Sequence, residues 1–111
     1  MDNRLTRQAK ILKASEYKEV FSSGQKRKGE YWTVIAKPNN LSLPRLGLAI
    51  SKKVSRLAVE RNRLKRIARE VFRNSKTDLA SLEFVVMSKN NTNANNSALS
   101  RELLMLLKKF N

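Results

Sequence analysis

The most constraining feature of this sequence is one amphipathic segment near its middle. Between residues 57 and 74, apolar side chains recur at the spacing of a single helical stripe: Leu57, Leu64, Ile67, Ala68, Val71 and Phe72. The pattern predicts a helix of about five turns, with Ser55 as its N-cap and its end near Asn74. Because such a helix must bury its apolar side, the chain must fold around it.

The side of this segment opposite the stripe is cationic. Successive residues of a helix are turned by about 100°, so the side opposite Leu64 can be read from the sequence. The residues that point outward are Asn62, Arg66, Arg69 and Arg73. Arg61 and Lys65 lie along one edge of this side, and Arg63 lies along the other. Between Arg45 and Lys76 there are eleven cations and two acids.

This density of like charge is unusual for a surface that faces only water. A helix surface that faces water is stabilised when positive and negative side chains alternate along it. Each like-charged i, i+4 pair here instead destabilises the helix by about 0.2–0.5 kcal/mol. Phosphates between the cations would remove that repulsion. We therefore predict a surface that binds a polyanion, with nucleic acid favoured over anionic lipid.

Length and composition narrow the remaining possibilities. The 111 residues carry a formal net charge of +15 and predict a single RNA-binding domain, 1–111, in which 1–13 form a flexible basic arm. With no Cys and no His, the chain has no disulfide, thiolate zinc site or imidazole base. It also shows neither a signal peptide nor an apolar run of membrane-spanning length, so we expect a cytoplasmic location.

The rest of the chain predicts an α+β layer with helices against a small sheet. A short helix starts at Ser15 and stops at Gly24, and a last helix starts near Asn96 or Ser97. Strands are predicted at 31–36, 46–50 and 83–88. In the second of these, bulky residues alternate with Gly47 and Ala49, giving a small-residue face that another group can approach closely.

Four aromatic residues near the N-terminus form a second candidate surface. Tyr17, Phe21, Tyr31 and Trp32 lie close in sequence to three consecutive cations, 26–28. Unpaired bases stack on such rings. For any one ring, packing in the core is the simpler explanation, and the sequence leaves both open.

One long motif connects these observations to a known family. The run 51–70, centred on Arg61-Asn62-Arg63, closely resembles the signature of the protein subunit of bacterial ribonuclease P. The resemblance extends to an Arg-Leu-Thr segment at 4–6 and a Phe-Val-Val strand at 84–86. It implies an α-β sandwich with about four strands and three helices, a fourth strand near 25–28, and a left-handed β-α-β crossover through the basic helix.

The resemblance also implies a function. Members of this family assist a catalytic RNA that, with its bound Mg²⁺, removes the 5′ leader from precursor tRNA. The chain would then be the accessory protein subunit of an endoribonuclease, with no catalytic residue, metal site or cofactor of its own. Its partners would be the catalytic RNA and precursor tRNA, with no DNA and no membrane.

The resemblance assigns residues to two sites. Those that would meet the catalytic RNA or lie beside the cleavage region are Lys53, Arg61, Asn62, Arg63, Lys65, Arg66 and Arg69, to which the charge pattern adds Arg56 and Arg73. Those that would line a cleft for the single-stranded leader are Tyr17, Phe21, Trp32 and Lys52.

Two alternatives remain. A small structural RNA-binding protein, such as a ribosomal component or an RNA chaperone, would share the charge but not the motif. A helix-turn-helix DNA-binding protein needs a short helix before the basic one, where this sequence predicts a strand.

Overall fold

A computed structural model describes residues 14–39, 43–50, 57–88 and 95–110. These residues form three α-helices, one 3₁₀ turn and a four-stranded sheet, which confirms the predicted α+β class. In chain order the elements are α1 (Ala14–Ser23), β1 (Gln25–Lys28), β2 (Trp32–Pro38), β3 (Arg45–Leu48), α2 (Ala58–Ser75), the 3₁₀ turn (Lys76–Asp78), β4 (Leu82–Ser88) and α3 (Asn96–Lys108).

The strands are ordered β1-β2-β4-β3 across the sheet. β2 is antiparallel to both β1 and β4, whereas β3 and β4 are parallel. Parallel neighbours cannot be joined by a tight turn, and here the chain between them contains α2. The left hand of this crossover stays a prediction from the resemblance.

The main core lies between one face of the sheet and the helices α2 and α3. Trp32, Val34 and Ala36 of β2 alternate onto this face, as do Phe84 and Val86 of β4. The helices contribute the buried side chains Leu64, Ile67, Ala68, Phe72, Leu99, Leu103, Leu106 and Leu107. Each large apolar side chain buried here stabilises the fold by about 1.5–3 kcal/mol.

Among the described residues, α1 is the one helix that packs on the opposite face of the sheet. Val20 of this helix packs on Ile35 and Val85, and Tyr17, Ala49 and Met87 lie half-buried around them. This face is therefore only partly covered, and we call it the α1 face.

Helix α3 is fixed to the hairpin formed by β1 and β2. The Glu102 carboxylate accepts hydrogen bonds from the backbone N–H groups of Glu30, Tyr31 and Trp32, the last two at 2.8 and 3.0 Å. A Cβ atom on Gly29 would lie 2.5 Å from the Glu102 Cδ atom, so only glycine leaves room for this carboxylate. The turn and the helix are held as one unit.

Helices α2 and α3 begin differently from each other. Helix α2 begins at Ala58, and its N-cap position is occupied by Leu57, whose side chain makes no capping hydrogen bond. The predicted N-cap Ser55 was therefore wrong, and Leu57 is exposed rather than part of the buried stripe. Helix α3 instead has a side-chain cap, because Asn95 Oδ1 accepts from the Ala98 N–H at 2.8 Å.

The predicted arm, 1–13, lies outside the described residues, and the single-domain organisation stays a prediction. Within the described ranges, the helices are too short or too polar to span a bilayer.

Candidate nucleic-acid interface

The outward side of α2 carries the predicted cations. The helix buries Leu64, Ile67, Ala68 and Phe72, while Asn62, Arg66 and Arg69 are exposed on the other side. Arg61, Lys65 and Arg73 are half-buried beside them. We call the surface formed by Arg61, Asn62, Lys65, Arg66, Arg69 and Arg73 the α2 cation face. Neither the core nor another element covers its exposed members.

Acidic side chains do little to neutralise the α2 cation face. Lys65, Arg66 and Arg69 form no ion pair with any other residue in the described part of the chain. Since Arg69 lies three and four residues from Arg66 and Lys65, the three cations repel one another, and no ion pair with a described residue offsets this. An unneutralised row of cations attracts phosphate groups.

Arg63 lies on the other edge of the helix and is bound within the protein. Its guanidinium donates to Glu60 Oε2 at 3.1 Å and to Asn96 Oδ1 at 2.9 Å. These contacts connect the first turns of α2 and α3. Arg63 thus differs from Arg66 and Arg69, whose side chains extend into solvent.

Arg73 also has a structural explanation. It lies in the last turn of α2, where the helix dipole favours a positive charge. Its Nε atom is buried without a hydrogen-bond partner among the described residues. Arg66 and Arg69 are neither in the last turn of α2 nor in an ion pair with a described residue, so the fold explains their positions least.

Three predicted RNA-binding or leader-binding residues cannot be placed. Lys52, Lys53 and Arg56 fall in the segment 51–56, which lies outside the described residues. The described chain stops at Ile50, just after β3, and resumes at Leu57, just before α2. Their assignments stay predictions.

Tyr17 and Phe21 both lie on α1 but in different surroundings. The Tyr17 ring packs against Gly47 of β3, on the small-residue face of that strand, as the alternation at 46–50 predicted. Phe21 is 46% exposed, which is unusual for an aromatic ring of this size. Its face is available to a base without any rearrangement of the core.

The flank of α1 that bears Phe21 can be identified from an ion pair. Lys37 Nζ lies 3.1 Å from Glu19 Oε2, so Glu19 faces the Pro38 end of β2. Phe21 is two residues further and therefore about 200° around the helix. Because α1 crosses the strands, from Tyr17 against Gly47 of β3 to Gly24 against Ile35 of β2, we expect this flank to lie toward the other end of the sheet, where Thr33 pairs with Met87.

Trp32 does not line this surface, and its predicted place in the leader cleft was wrong. It is fully buried on the opposite side of the sheet, between the sheet and α3. Its indole N–H donates to the Leu99 carbonyl oxygen at 2.9 Å. Because its polar atom and its rings are both satisfied inside the protein, Trp32 is a core residue.

Tyr31, the fourth aromatic residue, packs partly against the same core. The nearby Glu30 carboxylate raises the pKa of its hydroxyl above the usual value.

Met87 is a member of the α1 face that sequence reasoning missed. It lies half-buried beside Val85, in the strand phase opposite to Phe84 and Val86. The alternation of the strand would have identified it, because residues 83, 85 and 87 share one side. The uncovered part of the α1 face thus combines Tyr17, Phe21, Ala49 and Met87.

Comparison with known proteins gives a consistent result. The Ribonuclease P family model matches residues 5–111. The ribonuclease P protein component of Vesicomyosocius okutanii is 50% identical over 110 residues, which cover 99% of this chain and 97% of that protein. That of Vibrio vulnificus is 46% identical over 83 residues, covering 75% of this chain and 70% of that protein.

Solved structures show the same architecture. The RNase P protein of Thermotoga maritima superposes with a TM-score of 0.80 at 28% identity, covering 88% of this chain and 94% of that one. The RNase P protein of Staphylococcus aureus superposes with a TM-score of 0.85 at 24% identity, covering 92% and 94%. At that identity the second likeness bears on the fold alone.

Proposed function

Because this chain belongs to the ribonuclease P protein family, we propose that it is the RNA-binding subunit that assists a catalytic RNA in removing the 5′ leader from precursor tRNA. Family membership establishes its involvement in an endoribonuclease complex with a partner RNA. The proposal adds which surface meets which RNA, and the observation that carries it is that Lys65, Arg66 and Arg69 stand together on α2 without an ion pair to any described residue.

The α2 cation face is assigned to the catalytic RNA. Arg66 and Arg69, with Lys65 beside them, extend from a rigid helix that is anchored in the core by Leu64 and Phe72. Contacts of this kind are made to phosphates and depend little on base sequence. Arg61, Asn62 and Arg63, in the first turns, and Lys53 are assigned to the same RNA or to the region beside the cleavage site, and Arg56 and Arg73 to the same RNA.

The cleavage step is assigned to the RNA and to Mg²⁺ bound by it. Glu19, Glu60 and Glu83 each form an ion pair, with Lys37, Arg63 and Arg45. Glu102 accepts backbone hydrogen bonds. These carboxylates therefore have structural partners, and the chain has no histidine to act as a base. We propose no cofactor for the protein itself and a cytoplasmic location.

The uncovered part of the α1 face is assigned to the single-stranded leader. Phe21 offers an exposed ring, and Tyr17, Ala49 and Met87 continue the apolar surface beside it. Stacking holds unpaired bases with little sequence preference, so such a surface does not require one particular leader sequence. Lys52, which follows β3 in the chain, would contribute a charge to the same cleft.

Reconstitution tests this function. Purified chain added to its cognate catalytic RNA should increase cleavage of precursor tRNA at low Mg²⁺ concentration. The affinity of the chain for the RNA should fall steeply as the salt concentration rises. A structural RNA-binding protein would bind RNA with a similar salt dependence but leave precursor cleavage unchanged. That second result would exclude the proposed function.

A further inference from the structure

Strand β1 places two lysines on the same side of the sheet as α1. In the antiparallel pair of β1 and β2, Lys26 lies opposite Ile35 and Lys28 opposite Thr33. Residues directly opposite each other in such a pair share one face of the sheet. Since Ile35 packs under α1, both lysines lie on the α1 face, and both are exposed.

The residue between them points the other way. Arg27 lies opposite Val34, which belongs to the main core, and its guanidinium lies over the Phe110 ring at 5.7 Å from the centroid. Arg27 thus has a partner inside the protein. Lys26 and Lys28 form no ion pair within the described residues.

Lys28 lies at the end of the sheet toward which Phe21 faces. The flank of α1 bearing Phe21 faces the region where Thr33 pairs with Met87, and Thr33 is the partner of Lys28. A strand of RNA that stacks on Phe21 and continues outward across the sheet therefore reaches the β1 edge. Strands lie about 4.8 Å apart, and Val20, the neighbour of Phe21, packs on β2 and β4, so about 5–10 Å separate this part of α1 from β1.

Lysines also occur on edge strands simply because they prevent pairing with another chain. That role is served by a cation on either face of the strand. It does not require a row of unpaired lysines on the one face that is partly uncovered and carries an exposed aromatic ring.

We propose that Lys26 and Lys28 form a phosphate-binding subsite for the part of the leader that lies farther from the cleavage site than the Phe21 surface. The inference rests on the function proposed above and adds a second contact region to it. At about 3.4 Å per stacked nucleotide, a span of about 5–10 Å corresponds to roughly two or three nucleotides. Only leaders that extend this far past Phe21 would reach the subsite.

The test compares leader lengths in the holoenzyme. The chain with Lys26→Gln and Lys28→Gln is assembled with the catalytic RNA, and its affinity is measured for precursor tRNAs whose leaders are shortened one nucleotide at a time. The matched control is Lys108→Gln with Lys109→Gln, which removes two exposed charges on the other side of the sheet. Thermal melting of each variant reports on the fold.

The expected result is a loss of affinity for long leaders and none for short ones. For long leaders, the slope of log affinity against log salt should become less steep by about 0.7 for each lost phosphate contact. The control should follow the wild type at every length. The subsite would be overturned if the double variant lost the same affinity at all leader lengths, or if it bound long leaders as tightly as the wild type.

Failure of the subsite and failure of the proposed function are distinguishable. If the wild type gains affinity with leader length and the double variant gains as much, leader binding stands and the subsite does not. If the wild-type holoenzyme itself does not respond to leader length, the leader-binding role and the subsite both fail.

Discussion

The ring of Tyr17 lies directly against the backbone of Gly47, so that a Cβ atom on Gly47 would be only 2.8 Å from the Tyr17 Cε1 atom. This contact sets the distance between the N-terminal half of α1 and β3. It also determines where the Tyr17 ring meets the surface that we assign to the leader.

Replacing Gly47 by Ala should displace that ring. Overpacking typically costs about 1–3 kcal/mol, and the smaller cost is expected here because the obstructing atoms belong to a half-buried side chain. Affinity of the holoenzyme for precursor tRNA with a long leader should fall, while binding of the catalytic RNA alone is retained. Equal loss of both affinities would show that the substitution disturbs the whole fold.

Phe21→Ala should weaken leader binding without weakening the fold. Loss of one base-aromatic stack costs about 1–3 kcal/mol of affinity, whereas an exposed ring contributes little to stability. Fluorescence titration with long-leader and leaderless tRNA measures the first effect. Thermal melting measures the second.

The matched control is Val20→Ala, one residue earlier. Val20 is buried against Ile35 and Val85, so its truncation should lower stability by about 2 kcal/mol, since two buried methyl groups at about 0.8 kcal/mol each are lost with their packing. A melting temperature that falls as much for Phe21→Ala as for Val20→Ala would identify Phe21 as a core residue.

Substituting Arg66 and Arg69 by Gln should weaken binding of the catalytic RNA. Each lost phosphate contact should reduce the slope of log affinity against log salt by about 0.9 for duplex RNA, taking the value for B-DNA. The melting temperature should be unchanged or slightly higher, because like-charge repulsion of about 0.2–0.5 kcal/mol per pair is removed.

Glu70→Gln on the same helix serves as the control. Glu70 is an exposed acid beside the α2 cation face, so its neutralisation should preserve or strengthen RNA binding. If the two arginine substitutions leave the salt dependence of binding unchanged, the assignment of this face to RNA is refuted.

Trp32→Phe should act on stability and not on leader affinity. The substitution removes the indole N–H that donates to the Leu99 carbonyl and leaves a small cavity among fully buried neighbours. We expect a loss of about 1–3 kcal/mol in the free energy of unfolding, measured by urea denaturation. Reduced affinity for long leaders at unchanged stability would return Trp32 to the cleft.

The sequence predicts α2 well because the helix separates its two sides so sharply. Its apolar stripe alone identifies Leu64 and Phe72 as buried and Arg66 as outward, and the structure agrees. The start of the helix was less predictable, since Ser55 has the chemistry of an N-cap but Leu57 occupies that position.

The strands show why Trp32 was misplaced. Residues 32–36 of β2 are all buried, because α1 covers one face of the sheet and α2 and α3 cover the other. A strand buried on both faces has no alternation from which to assign a side. β1 is the opposite case: all four of its residues are exposed, so only the resemblance predicted it.

The order of the strands has a consequence for how the chain is made. Leu82–Ser88 forms the strand that joins the hairpin of β1 and β2 to β3, and it is the last strand to leave the ribosome. Until then β3 lacks the one partner strand that the described residues give it, and Glu102, which secures the hairpin turn, emerges later still because it follows β4 in the chain. A nascent chain stalled before residue 82 should therefore expose its apolar strands to chaperones, and productive folding should begin only when translation is nearly complete.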